Sequence, residues 1–213
     1  TQVVTALARV HNDETSTLRT AIEATGIPPA LPFMLQGDYR QSELLEYISP
    51  EMGKLLDLFQ QHPYRTMLEQ ARAVWKVESP IHGDVRGANF LFSPQQDQLA
   101  VIDWELADLG DPAWDIAGLI IDFVVGFSNA SVLENNLPAW LRPWDLYKQC
   151  RGPCPSKRDF LGRILLFTSV RILQSILEHA YFDPGPETAQ LLLPIARVLF
   201  ESRAQISQAI EAS

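Results

Sequence analysis

The segment from Ser79 to Asp111 constrains the fold most, because its pattern differs from that of the rest of the chain. Short apolar runs, FLF at 90–92 and LAVI at 99–102, flank the turn-rich sequence SPQQDQ, which predicts a β-hairpin. On both sides of this segment apolar residues recur at the three- and four-residue spacing of amphipathic helices. The sequence therefore predicts an α+β fold that is mostly α, with one small hairpin in its middle.

The predicted helices are bounded by residues that break or begin helices. The sequence GIPPALP at 26–32 predicts a loop, since adjacent prolines do not fit a continuous helix. Asp111 followed by Pro112 predicts an N-cap and first helical residue, and DPGP at 183–186 predicts a break. The expected helices are two short ones within 1–25, then roughly 42–59, 64–75, 111–127, 156–181 and 187–209, with 128–155 as a loop or short helix.

Composition narrows the range of partners. The chain has 213 residues, 46% apolar and 20% charged, which is ordinary for compact domains. Its net charge of -9 argues against a nucleic-acid partner, because phosphate backbones are bound by clustered Lys and Arg. The longest apolar run, 116–127, is interrupted by Asp122 and is shorter than the roughly 20 residues of a membrane span. Neither nucleic acid nor membrane is expected as a partner.

Cys150 and Cys154 are expected to be reduced thiols, which favours a cytoplasmic location.

Side chains able to do chemistry are concentrated in the hairpin segment, as a His-Gly-Asp triplet at 82–84, then Asn89 and Asp103. A tight loop followed by the hairpin would return Asp103 to the vicinity of Asn89. Carboxylate and amide oxygens are ligands that Mg²⁺ prefers, and Mg²⁺ usually leaves coordination positions for nucleotide phosphates. We therefore expect Asn89 and Asp103 to hold a metal ion and Asp84 to face the hydroxyl of an acceptor.

The segment IHGDVRGANFLF, followed by VIDWELADLGDPAWDIA, resembles the catalytic core of the aminoglycoside phosphotransferase and choline kinase superfamily, distant relatives of the protein kinases. Protein kinases carry H-R-D-x-x-x-x-N and D-F-G at the corresponding places. The five-residue step from Asp84 to Asn89 is the same here, whereas Trp104 and Glu105 replace Phe and Gly. LARVH at 7–11 resembles the helix that precedes the catalytic lobe. The resemblance implies a protein-kinase-like C-terminal lobe whose small hairpin carries the catalytic loop.

The resemblance also implies roles for particular side chains. Asp84 would be the catalytic base, and Arg86 would contact the transferring phosphoryl group. Asn89 and Asp103 would bind Mg²⁺ and, through it, ATP.

Two further side chains are implied to support the loop. His82 would be structural, and Asp115, at the head of the following helix, would brace the loop through its backbone. The other histidines, His11, His62 and His179, have no partner at metal-ligand spacing, so they are expected to be surface or packed residues.

A device that cradles nucleotide phosphates is missing from the sequence. No two glycines are spaced as G-x-G, and there is no G-K-[ST]. In the superfamily these parts lie in an N-terminal β-lobe that precedes the LARVH-like helix. The expectation is that 1–213 is a kinase-like C-lobe, with a metal-site core at 81–117 and a helical subdomain at 118–213. The N-terminal nucleotide-gripping lobe would then be a partner found in the full-length protein.

The leading functional hypothesis is an ATP- and Mg²⁺-dependent O-phosphotransferase acting on a small-molecule hydroxyl, aminoglycoside- or choline-like, or on a peptide Ser or Thr. The alternative is a catalytically incompetent pseudokinase or binding module, which the missing nucleotide lobe favours. The acidic residues Glu178, Asp183 and Glu187 either line a pocket for a cationic substrate or form a solvated face, and the solvated face is favoured.

Overall fold

A computed structural model of the chain describes residues 2–12, 17–37, 49–126, 142–151, 157–182 and 187–211. Helices and short strands alternate along the described chain. The helices are α1 (Gln2–Asn12), α2 (Thr17–Ala24), α3 (Phe33–Gln36), α4 (Pro50–Phe59), α5 (Tyr64–Val74), α6 (Pro112–Gly126), α7 (Arg142–Arg151), α8 (Lys157–Phe182) and α9 (Glu187–Glu211). The strands are β1 (Ser79–Ile81), β2 (Phe90–Ser93), β3 (Gln98–Val101) and β4 (Asp108–Gly110). The expectation of a mostly helical fold with small sheets is confirmed.

The strands form two separate antiparallel pairs. In the hairpin, β2 runs beside β3 with Phe90 opposite Val101 and Ser93 opposite Gln98. A second pair, β1 with β4, sets Ser79 opposite Gly110 and was not predicted. Each of its strands has only three residues, which is too short for the alternation that identifies a strand in a sequence.

Helix starts follow the local capping chemistry. Ser49 precedes Pro50, and its hydroxyl accepts a hydrogen bond from the Met52 amide at 3.2 Å, so α4 begins at the proline. The part of the predicted 42–59 helix that precedes Ser49 lies outside the described residues. Within 128–155 the structure describes one helix, α7, and the rest of that segment also lies outside the described residues.

The core is built around the long helix α8, which packs against α5, α6 and α9. Trp75, Trp114 and Phe167 pack edge to face or tilted, with ring centroids 5.6–5.9 Å apart. The stretch Asp159–Phe182 is long and apolar enough to cross a membrane, but 83% of its apolar window is buried inside the fold. This is the pattern of a core helix.

The two strand pairs bring three chain segments together. The chain leaves β1 directly into the segment that begins at His82, and it leaves β3 just before Asp103. From β4 it passes through Asp111 into α6, where Asp111 accepts a hydrogen bond from the Ala113 amide at 3.0 Å, as an N-cap does. Helix α6 is continuous across residues 117 and 118, where the predicted metal-site core at 81–117 meets the predicted helical subdomain.

Candidate active site

The loop formed by residues 82–89, hereafter the 82–89 loop, contains the predicted base. The Asp84 side chain is mostly buried, with 13% of it exposed. One carboxylate oxygen, Oδ1, accepts a hydrogen bond from Arg86 Nη2 at 2.8 Å, and Oδ2 lies 3.3 Å from Asn89 Nδ2. Asp84, Arg86 and Asn89 are therefore in direct contact.

Asn89 and Asp103 are placed at the same end of the hairpin. The Asn89 side-chain amide donates to the Asp84 backbone carbonyl at 2.9 Å, which leaves Oδ1 as the oxygen that a metal ion would use. The Asn89 backbone carbonyl accepts a hydrogen bond from the Ile102 amide at 3.0 Å, immediately before Asp103. Asp103 itself, two residues after the end of β3, adopts a left-handed conformation with φ 65° and ψ 57°, immediately before a 3-10 turn at Trp104–Leu106.

The oxygen donors at this end of the hairpin suit a hard divalent cation. Asp103 is exposed, and within the described part of the chain its carboxylate has no hydrogen-bond or ion-pair partner. No group of three or more His, Cys, Asp or Glu side chains able to hold a metal occurs among the described residues. A site made by Asn89 and Asp103 would thus need phosphate oxygens and water to complete its coordination.

Asp115 contacts the backbone of the 82–89 loop directly. Its carboxylate is fully buried and accepts hydrogen bonds from the His82 amide at 2.8 Å and the Gly83 amide at 3.0 Å. A third bond comes from His11 Nε2 at 3.0 Å, and Tyr147 contacts the other nitrogen of that ring at 2.7 Å. His11 is one of the packed histidines, but its contact with Asp115 was missed because nothing in the LARVH sequence points to a partner 104 residues away.

His82 links the loop to the end of β3. The ring is buried, and its Nε2 donates to the Ile102 carbonyl at 2.8 Å. Its Nδ1 accepts from the Asp84 amide at 3.3 Å, so the hydrogen bonds select the tautomer protonated at Nε2. The ring of Trp104 lies beside it, with centroids 4.7 Å apart. His82 thereby couples the backbone of Asp84 to the residue before Asp103.

Further charged side chains surround Asp84. Glu178 on α8 accepts a hydrogen bond from Arg86 at 3.4 Å, although the sequence favoured a solvated face for this residue. Partial burial lowers the pKa of Arg86, but the hydrogen bond to Asp84 and the charge of Glu178 outweigh it, so the net shift is upward. Arg171, also on α8, lies 3.6 Å from Asp84 Oδ1 and was not predicted.

One face of the hairpin is apolar and exposed. Residues opposite each other in an antiparallel pair share a face, and so do residues two apart on one strand. The register places Leu91 opposite Ala100 on one face, and Ile102 follows Ala100 by two residues; all three side chains are exposed. An apolar surface thus lies next to the candidate metal ligands.

A sequence model described as the phosphotransferase enzyme family matches residues 2–152. The chain belongs to this family. The match covers more than two thirds of the chain and includes every residue of the site described above except those on α8. The resemblance inferred from the motifs at 81–117 is confirmed.

Curated relatives are much longer than this chain. Acyl-CoA dehydrogenase family member 11 of Homo sapiens is 34% identical over 142 residues, covering 62% of this chain and 18% of the relative. Acyl-CoA dehydrogenase family member 10 of Mus musculus is 53% identical over 110 residues, covering 47% of this chain and 10% of the relative. The similarity thus spans less than a fifth of each of these proteins.

Two solved structures are similar over nearly the whole chain. One is choline kinase LicA from Streptococcus pneumoniae, with a TM-score of 0.47 and 14% identity, covering 97% of this chain and 62% of that one. The other is an aminoglycoside phosphotransferase from Alicyclobacillus acidocaldarius, with a TM-score of 0.47 and 20% identity, covering 100% of this chain and 66% of that one. At these TM-scores the family assignment rests on the sequence match.

Proposed function

We propose that this chain is the catalytic part of an ATP- and Mg²⁺-dependent O-phosphotransferase. The observation that carries the proposal is the arrangement of Asp84, Asn89 and Asp103 at one end of the hairpin. The Asn89 side-chain amide donates to the Asp84 carbonyl, and the Asn89 carbonyl accepts a hydrogen bond from the amide of Ile102, the residue before Asp103. In the proposed site one carboxylate would serve proton transfer and two oxygen donors would serve a metal ion.

Each of the three side chains would have a separate task. Asn89 and Asp103 would hold Mg²⁺, which when bound offsets the charge of the nucleotide phosphates. Asp84 would take the proton of the acceptor hydroxyl. The acceptor oxygen bonds to the γ-phosphorus, the bond from that phosphorus to the β–γ bridging oxygen breaks, and ADP leaves with that oxygen.

Two neighbouring features support a nucleotide at this place. The exposed apolar face of Leu91, Ala100 and Ile102 would cover one side of a flat base such as adenine. Arg86, already charged and 2.8 Å from Asp84, would reach a phosphoryl group that arrives next to this carboxylate. The nucleotide phosphates would in addition need the N-terminal lobe expected in the full-length protein.

The acceptor is proposed to be a hydroxyl of a small molecule, aminoglycoside- or choline-like, or of a peptide Ser or Thr. The curated relatives are named as members of the acyl-CoA dehydrogenase family, so a hydroxylated acyl-CoA belongs in the acceptor panel as a further class. The panel is assayed by ADP release, using the longest natural polypeptide that contains this chain.

Two substitutions separate the proposed roles. Asp103→Ala is expected to abolish Mg²⁺-dependent nucleotide binding, because it removes the only charged ligand of the proposed pair. Asp84→Asn is expected to leave nucleotide binding nearly intact and to lower turnover by about 10²–10⁴-fold, the usual contribution of a positioned base. Calorimetry measures the binding and ADP release measures the turnover.

Equal losses of nucleotide affinity in the two variants would contradict the assignment of roles. Nucleotide binding by the wild type without turnover of any acceptor would instead favour the pseudokinase or binding-module alternative.

A further inference from the structure

We infer that Arg171 on α8 is a positioning residue for phosphoryl transfer, which holds the 82–89 loop so that Asp84 meets the acceptor. The inference rests on the proposed function, since it takes Asp84 to be the catalytic base. It concerns a residue outside the span matched by the family model, 2–152.

Arg171 binds the 82–89 loop through backbone carbonyls. Its Nη2 donates to the Val85 carbonyl at 2.9 Å, and its Nη1 lies 3.4 Å from the Gly83 carbonyl. These two carbonyls flank Asp84 on either side along the chain. A shift of the guanidinium would therefore move the backbone on which the Asp84 side chain is mounted.

Two side chains of opposite charge, on two different helices, hydrogen-bond to the backbone of the 82–89 loop. Asp115 on α6 accepts from the amides of His82 and Gly83, whereas Arg171 on α8 donates to the carbonyls of Gly83 and Val85. Backbone amides only donate hydrogen bonds and backbone carbonyls only accept them. The carboxylate of Asp115 can therefore bind the amides alone, and the guanidinium of Arg171 can bind the carbonyls alone. Because the charges sit on different helices, the position of the loop depends on how α6 and α8 pack together.

The space around Arg171 is shaped to hold a guanidinium. The side chain is 5% exposed, and its guanidinium carbon lies 5.2 Å from the centre of the Trp114 ring. A Cβ atom at Gly118 would lie 3.2 Å from Arg171 Nη2 and 2.4 Å from the Val85 carbonyl oxygen. Only a glycine at 118 leaves room for this contact between the helix, the loop and the arginine.

An ammonium group could not make the same set of contacts. The planar guanidinium presents several N–H groups in a fixed fork, so it binds two carbonyls at once while staying 3.6 Å from Asp84 Oδ1. A lysine at this position would keep the charge and lose the fork. The conservative substitution therefore separates the geometric role from the charge.

The test measures kcat and both KM values for Arg171→Lys and Arg171→Met in the full natural polypeptide. Displacement of a catalytic group by about 1 Å costs on the order of 100-fold in rate. We expect a fall in kcat of about that size in the Met variant and nearly the same fall in the Lys variant, because the ammonium keeps the charge but cannot bind both carbonyls. Both KM values should stay nearly unchanged, since an interaction that acts on the transition state alone is lost.

Arg163→Met is the matched control. Arg163 lies on the same helix, is 4% exposed and pairs with Asp111 at 2.8 Å, but it makes no hydrogen bond to the 82–89 loop. It is expected to lose stability without losing kcat per folded molecule. An equal fall in kcat in the Arg163 and Arg171 variants, or a rise in KM with unchanged kcat at Arg171, would overturn the inference.

Hydrogen exchange gives a readout that does not need turnover. In Arg171→Met the amides of the 82–89 loop should exchange with solvent at least about tenfold faster than in wild type. In Arg163→Met the exchange rates of these amides should match wild type once the change in global stability is taken into account. Unchanged loop exchange in the Arg171 variant would refute the positioning role. Absence of turnover in the wild type would contradict the proposed function alone, and the exchange rates would still decide whether Arg171 holds the loop.

Discussion

Gly83 shows how one residue limits the geometry of the site. It has φ of +82°, and a Cβ atom there would lie 2.3 Å from the backbone carbonyl oxygen of Leu106. The backbone around it is held by Asp115, by the Trp114 indole at 2.9 Å and by Arg171. Only glycine can therefore adopt this conformation before Asp84 without strain. A side chain at position 83 would force the backbone at Leu106 to move.

Gly83→Ala is expected to lower the free energy of unfolding by about 2–3 kcal/mol, since a left-handed backbone strains an alanine and its Cβ atom meets backbone. Denaturant titration measures the loss. Gly26→Ala is the matched control, because Gly26 has φ of +67° but nothing within 4 Å of the Cβ position. It should cost only the backbone strain, about 1–2 kcal/mol. Equal costs at the two positions would show that the contact with Leu106 is unimportant.

Helix α6 is the element that joins the core to the site. Its first turn carries Asp115, which binds the 82–89 loop, and further along the Asp122 carboxylate lies close to Gly87, where a Cβ atom would be 3.2 Å from Asp122 Oδ2. Partial desolvation raises the pKa of Asp122, while the backbone of Gly87 and the charge of Arg171 act in the opposite direction. Between these two acids, Gly118 allows the helix to approach the loop closely.

Gly118→Ala is expected to lower both stability and turnover, although alanine is the better helix former. The gain in helix propensity is about 1 kcal/mol, but the new methyl group would lie 2.4 Å from the Val85 carbonyl oxygen, so helix and loop must separate. Thermal unfolding and kcat measure the two effects.

Gly162→Ala on α8 provides the comparison for that substitution, since nothing lies within 4 Å of its Cβ position. It should stabilise the protein by about 0.5–1 kcal/mol and leave turnover unchanged. A stabilised and fully active Gly118→Ala variant would show that close packing of α6 on the loop is not required.

At the scale of the whole molecule, Arg163 ties three elements together. From α8 it pairs with Asp111 at the start of α6, with Glu78 before β1 and with Asp159 on its own helix. Burial raises the pKa of Asp111 to about 6, against the opposing charge of Arg163. The hydrogen bond from Lys76 lowers the pKa of Asp159, which is half-exposed. The contributions of Asp111 and Asp159 to the free energy of unfolding should therefore change with pH in opposite directions.

The stability difference between wild type and Asp111→Asn should shrink as pH rises from 4 to 7. A carboxyl whose folded pKa exceeds its unfolded value binds more protons in the folded state between the two values, so its contribution to stability falls as pH rises through about 6. The change is on the order of 2 kcal/mol for a shift of this size. Denaturant titrations at several pH values measure it.

Asp159→Asn serves as the opposite case. A lowered folded pKa gives stability that is present above the unfolded pKa and lost as pH falls, so the difference between wild type and this variant should grow slightly with rising pH. Parallel pH dependence in the two variants would contradict the opposite shifts assigned to the two acids.

Short-range patterns in the chain were enough to locate most helices and the β2–β3 hairpin, and they also singled out Asp84, Asn89 and Asp103 as candidate site residues. Helical periodicity, capping residues and turn residues act over a few positions, and the hairpin itself returns Asp103 to Asn89. The three-residue strands β1 and β4 escaped detection because they pair across some thirty residues and show no alternation.

The side chains that hold the site residues in place could be identified only from the tertiary structure. His11, Arg171 and Glu178 contact partners 104, 86 and 92 residues away, and their partners are carboxylates, carbonyls and a guanidinium that leave no pattern in the surrounding sequence. Helix α8 is buried on almost all sides, so the spacing of its apolar residues does not show which side faces the 82–89 loop. That choice is made by the packing of α6 against α8, which brings a buried guanidinium to the carbonyls on either side of Asp84.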